Sequence, residues 1–135
     1  MSKDVERLRQ LLREGRCCAV ALVQLGLELR KEVNPQLLQA MSALCGGLQS
    51  GRVCGALSGA ACMMNVLDPE NANAHMVPEL VEWFAETMGK DFGGVDCREI
   101  TDGNPTVKAM RCPGLVEATY LQAKQILQDF GHEFE

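Results

Sequence analysis

At 135 residues, with 47% hydrophobic and 23% charged side chains, the chain has the composition of a folded protein and is long enough to bury a sizeable core. A formal net charge of −5 leaves no basic face for nucleic acid, and the apolar runs 17–23 and 53–67 fall short of a bilayer span or are interrupted. With aromatics at only 4%, Leu, Val, Ala, Met and Cys must fill the interior, which suits close-packed helices better than a sheet.

In chain order, Val5, Leu8, Leu11 and Leu12 recur at helical spacing, and Gly15 stops that first helix. Arg7, Arg9, Arg13 and Arg16 are interleaved with Asp4, Glu6 and Glu14, the pattern of a solvated helix surface. Cys18, Ala21, Leu22, Leu25 and Leu29 form the next apolar stripe, opposite Gln24, Glu28 and Lys31. Asn34-Pro35 is a helix start, with Asn as cap and Pro in the first turn; Leu38, Met41 and Cys45 continue that face to Gly46-Gly47.

Residues 53–67 are apolar almost all round and read as a central buried helix. Gly55 and Gly59 within it each cost roughly 1 kcal/mol against Ala, so they predict close approach of a neighbouring backbone. Asp68-Pro69 closes this helix. Val77, Leu80, Val81, Phe84 and Met88 carry another, ending at Gly89, with Glu79, Glu82 and Glu86 on its outer face. Asp96 caps a short helical turn from Cys97 to Ile100, residues 101–111 read as a loop, and Pro113 opens a last helix with Val116, Tyr120, Ala123, Leu127 and Phe130 inward. The expectation is an all-α bundle of five or six helices in one domain, residues 1–135.

A polar, charged N-terminus is not a secretory signal, so a cytoplasmic location is expected. In that compartment, seven cysteines point to metal binding or redox chemistry and not to a structural disulfide framework. Thiolates do this chemistry, and a helix N-terminus favours them. Cys54 and Cys97 fall at predicted helix starts, and Cys112, before Pro113, at a third. Cys45 and Cys62 fit plain core packing; of the pair Cys17-Cys18, Cys18 faces inward and Cys17 is rotated away. His75 and His132 lack metal-ligand spacing and read as solvent-exposed, one in a loop and one in a frayed tail. No CxxC pair, phosphate-binding loop or dinucleotide fingerprint is present.

The run Cys54-Gly55-Ala56-Leu57-Ser58-Gly59, preceded by Cys18-Ala19 and followed by Cys97-Arg98-Glu99-Ile100 and Cys112, resembles the C-GCAxxG-C-C family of redox-active proteins over most of the chain. The family name spells Gly-Cys-Ala where this chain has Cys-Gly-Ala. The resemblance implies that Cys18, Cys54, Cys97 and Cys112 are the four defining cysteines, and it assigns no role to Cys17, Cys45 or Cys62. Three readings stay open. One is thiol–disulfide chemistry with Cys54 as low-pKa attacking thiol, Cys97 or Cys112 resolving, and a redox protein or small thiol as partner. Another is binding of zinc or an iron–sulfur cluster by Cys18, Cys54, Cys97 and Cys112. The third is a non-catalytic helical interaction module with packing cysteines, which could form a homodimer through its first helix.

Overall fold

A computed structural model describes residues 2–134. Seven α-helices are present among them: α1 (Lys3–Arg13), α2 (Cys18–Leu29), α3 (Pro35–Met41), α4 (Gly55–Leu67), α5 (Val77–Phe92), α6 (Cys97–Thr101) and α7 (Pro105–Asp129). The all-α expectation holds, with more helices than the five or six expected. Among the described residues no helix is long and apolar enough to cross a membrane.

The core forms around α4, whose Ala56, Ala60, Met63 and Met64 are fully enclosed. Helix α2 makes the most extensive helix–helix contact, lying along α4, and α7 and α5 cover the other sides. Small residues set this crossing. A Cβ on Gly59 would stand 2.6 Å from the Cα of Ala19, and one on Gly55 would stand 2.9 Å from the Cys18 sulfur. The glycine pair therefore does what its spacing predicts, and one of the two makes room for a thiol.

Asn34 caps α3 by accepting from the Leu37 N–H at 3.1 Å, as expected. Asp68 is the C-cap of α4, and His132 Nε2 lies 2.7 Å from its Oδ2. That contact corrects the reading of His132 as part of a frayed tail; His75 is exposed and stacks on Phe130. Helix α5 runs past Gly89 to Phe92 before Gly93, at φ 83°, ends it. At the other end of the bundle, the buried Asp4 carboxylate accepts from Tyr120 and from Lys124 at 2.8 Å, which joins α1 to α7.

The largest departure is in 101–111. Asn104 caps a helix there, accepting from the N–H of Thr106 at 2.8 Å, with Pro105 in the first turn. Helix α7 then passes through Pro113 without stopping. The Asp-Gly and Asn-Pro signals mark the turn before α7, and Pro113 is carried inside it. Pro113 has no N–H to give the carbonyl of Ala109, a defect that tertiary packing of the buried face from Leu115 to Leu127 must offset.

Between α3 and α4 the chain makes an unusual strap. Gly46, Gly47, Leu48 and Gln49 are consecutively left-handed, with φ between 57° and 64°. Gly47 has to be glycine: a Cβ there would come within 2.6 Å of the Arg52 carbonyl oxygen. Leu48 and Gln49 each bear the left-handed penalty of about 1–2 kcal/mol.

Candidate functional site

The segments leading into α4 and α6 run antiparallel and pair. Val53 bridges Asp96, the Cys54 N–H donates to the Val95 carbonyl at 3.3 Å, and the Cys97 N–H donates to the Arg52 carbonyl at 2.6 Å. Two helix starts separated by more than forty residues are thereby held in register, with Cys54 as N-cap of α4 and Cys97 as first residue of α6. Asp96 caps α6 as expected, and its own N–H donates to Glu99 at 3.1 Å. Helix α6 is in turn tied to α7, because Arg111 Nη1 donates to the Ile100 carbonyl at 2.8 Å.

Helix α2 begins one residue into the Cys17-Cys18 pair, so Cys17 is its N-cap and Cys18 its first residue. The cysteines at helix starts are consequently Cys18, Cys54 and Cys97. Cys112 is not among them: it lies inside α7, in its second turn, because α7 starts at Pro105 and not at Pro113.

All four residues nevertheless line a shared space. Cys18, Cys54, Cys97 and Cys112 line one cavity of about 300 Å³, whose charged lining residues are Arg16 and Lys108. Cys97 and Lys108 also line a second, shallow groove on the outer side, so Cys97 stands between the cavity and the surface. Lys108 is exposed and makes no ion pair with a carboxylate among the described residues.

Burial controls the inner thiols. It pushes Cys54 up to about 12, against the opposing pull of the Ala56 and Leu57 amides at the start of α4 and with further elevation from Cys18 and Cys112. Burial likewise pushes Cys112 up to about 11, assisted by the neighbouring Cys18 and Cys97, and raises Cys18. Lys108 works in the opposite direction on Cys18 and Cys112 by favouring their thiolates. The expectation of a low-pKa thiol at Cys54 is thus reversed: the helix start is there, but enclosure outweighs it. Cys62 is not among the residues that line this cavity; like Cys17, it packs against the side of the core formed by Ala19, Val23 and Met41.

Sequence reasoning missed a fifth cysteine at the site. Cys17, which also lines the cavity, is joined by a disulfide to Cys45, 28 residues on, at the entry to the left-handed strap. The signal available was the rotation of Cys17 away from the inward stripe, which leaves it free to face another segment. Four thiolates are in kind a donor set for zinc or an iron–sulfur cluster. Among the described residues, no three Cys, His, Asp or Glu side chains are grouped so as to hold one ion.

No curated protein and no solved structure matches the chain. The family model described as "Putative redox-active protein (C_GCAxxG_C_C)" matches residues 16–126, a stretch that contains every cavity cysteine. On that match the chain belongs to the C_GCAxxG_C_C family.

Proposed function

We propose that this protein carries out thiol–disulfide exchange in the four-cysteine cavity, with Cys97 as the entering thiol. The observation behind this reading is the convergence of Cys18, Cys54, Cys97 and Cys112, from four separate helix segments, on one cavity. Cys97 takes the entering role because it alone of the four also borders the outer groove, while Cys54 is enclosed and held protonated. At about 300 Å³ the cavity is at the small end of ligand sites, which favours a low-molecular-weight disulfide. Arg16 and Lys108 favour one that carries negative charge.

In the oxidising direction, the Cys97 thiolate attacks one sulfur of the external disulfide and expels the other as a thiolate, which takes up a proton. A second cavity thiol then gives up its proton and displaces the remaining external thiol from Cys97. Two electrons leave the cavity thiols, one external disulfide becomes two thiols, and one internal disulfide forms. The reverse sequence reduces an external disulfide.

Oxidised glutathione is a suitable probe. Peptide mapping after its addition to the full chain should show one new internal disulfide among the four cysteines, removed again by dithiothreitol. Cys97→Ser should slow its formation by at least about tenfold, since entry then falls to more enclosed thiols. In isotope-coded alkylation at neutral pH, Cys54 should be labelled slowest of the four; its rise from 9.0 to about 12 lowers the thiolate fraction about a thousandfold. Persistent glutathione adducts with no internal disulfide, or early labelling of Cys54, would contradict this assignment.

A further inference from the structure

The disulfide shares its cavity with four free thiols. Cys17 lines that cavity, whereas Cys45 is not part of its wall. Any attack from inside therefore meets the Cys17 sulfur and expels Cys45, toward the strap whose first glycine, Gly46, also borders the cavity. Cys18 is a poor attacker, because it is adjacent in sequence and would have to close a strained ring with Cys17. Cys97 is the cavity thiol that also borders the outer groove, and Cys112 lines the same cavity as Cys97 and Cys17.

We propose that Cys17–Cys45 is a second redox couple of this site, exchanging directly with the cavity thiols through attack of Cys97 on Cys17. The exchange rests on the thiol–disulfide reading above and needs no external oxidant. Cys97 loses a proton and forms a bond to the Cys17 sulfur; the Cys17–Cys45 bond breaks, and Cys45 leaves as a thiolate that takes up a proton. Cys112 then loses its proton and displaces Cys17, which is protonated in turn. One disulfide has moved from 17–45 to 97–112, and the number of disulfides per chain is still one. The cavity thereby holds an oxidising equivalent in its own wall, at Cys17. Holding the reacting sulfurs in one cavity makes the exchange intramolecular and favours it over attack by a dilute external thiol.

The chain is suited to a direct test, since trypsin releases Cys45, Cys97 and Cys112 on peptides with no second cysteine. Full-length protein carrying the 17–45 disulfide is incubated anaerobically at pH 7 to 9, quenched in acid and mapped. The expected result is a 97–112 linked peptide pair whose gain matches the loss of the 17–45 pair. In Cys112→Ser the resolving thiol is absent, and a 17–97 linked pair should accumulate instead. Cys62→Ser, outside the cavity lining, should redistribute like the wild type. A 17–45 disulfide that persists at every pH in wild type, with no 17–97 link in Cys112→Ser, overturns the proposal. If oxidised glutathione still forms an internal disulfide in that same protein, the four-cysteine function survives; if it does not, both readings fail.

Discussion

Helical glycines in this protein fall into two physical classes, and alanine substitution should separate them with opposite signs. At Gly59 the new Cβ would lie 2.6 Å from the Ala19 Cα and 3.2 Å from the Ala19 carbonyl oxygen. Carbon atoms pack at about 3.5–4.0 Å, so α2 and α4 would have to separate by roughly 1 Å along a buried crossing. Overpacking of that kind costs about 1–3 kcal/mol, and the gain in helix propensity returns only about 1 kcal/mol of it. Gly59→Ala is therefore expected to lose up to about 2 kcal/mol. At Gly89, inside α5, nothing lies within 4 Å of the new Cβ. Only the propensity term operates there, and Gly89→Ala should gain about 0.5–1 kcal/mol. For a chain of this size each kcal/mol moves Tm by about 3–4 °C, so thermal melts should place the two variants up to about 10 °C apart, on opposite sides of wild type. Gly55→Ala is the informative intermediate. Its closest neighbour is the Cys18 sulfur at 2.9 Å, a side-chain end that can turn away. Its stability loss should be smaller than that of Gly59→Ala, while the rate of Cys18 alkylation changes. A Gly59→Ala protein that melts with or above Gly89→Ala would refute the claim that this crossing depends on the missing methyl group.

Two further outcomes follow from the covalent and electrostatic ties. Removing the 28-residue tether in Cys17→Ser/Cys45→Ser should lower stability by up to about 3.5 kcal/mol in the chain-entropy model, and dithiothreitol should then no longer shift the urea midpoint as it does in wild type. Burial tends to raise Asp4, but hydrogen bonds from Lys124, Ser2 and Tyr120 outweigh it and hold the carboxyl at about 2. A lowered folded-state pKa gives stability that is present above the unfolded value near 3.8 and lost as pH falls toward 2. The stability gap between wild type and Asp4→Asn should accordingly shrink by about 2 kcal/mol between pH 5 and pH 2, and a gap independent of pH would remove Asp4 from the account.

Much of the fold is legible locally. The Asn34-Pro35 start, the Asp68 stop and the Gly55/Gly59 approach each depend on a few adjacent residues, and each is found where the pattern puts it. The misread stretch, 101–111, shows why local signals fail: Asn104-Pro105 can equally end a loop or open a helix, and Pro113 is tolerated because the rest of α7 is packed. The site was legible in its membership but not in its electrostatics. A helix start at Cys54 argues for a reactive thiolate, yet its burial depends on α2 and α7 closing over it. The pairing of Arg52–Cys54 with Val95–Cys97 joins distant segments that carry no alternating strand pattern, so nothing in either segment announces it.

The crossing of α2 and α4 also explains why Cys17 and Cys18, though adjacent, do different things. Cys17 is an extended N-cap at φ −72° and ψ 163°, while Cys18 is already helical, so their side chains leave the chain in different directions. The Ala19–Gly59 contact fixes how closely the helices approach, and one turn earlier on α4 the same approach brings Gly55 against the Cys18 sulfur. Cys17 is left facing Cys45 at the end of the strap. Moving the start of α2 by one residue would exchange these directions and turn the wrong sulfur toward Gly55. The placement of the thiols is thus set by the same small-residue packing that holds the bundle together. A substitution at Gly59, whose nearest neighbours are Ala19 and Leu22, should therefore alter the exchange between the disulfide and the cavity as well as the melting temperature.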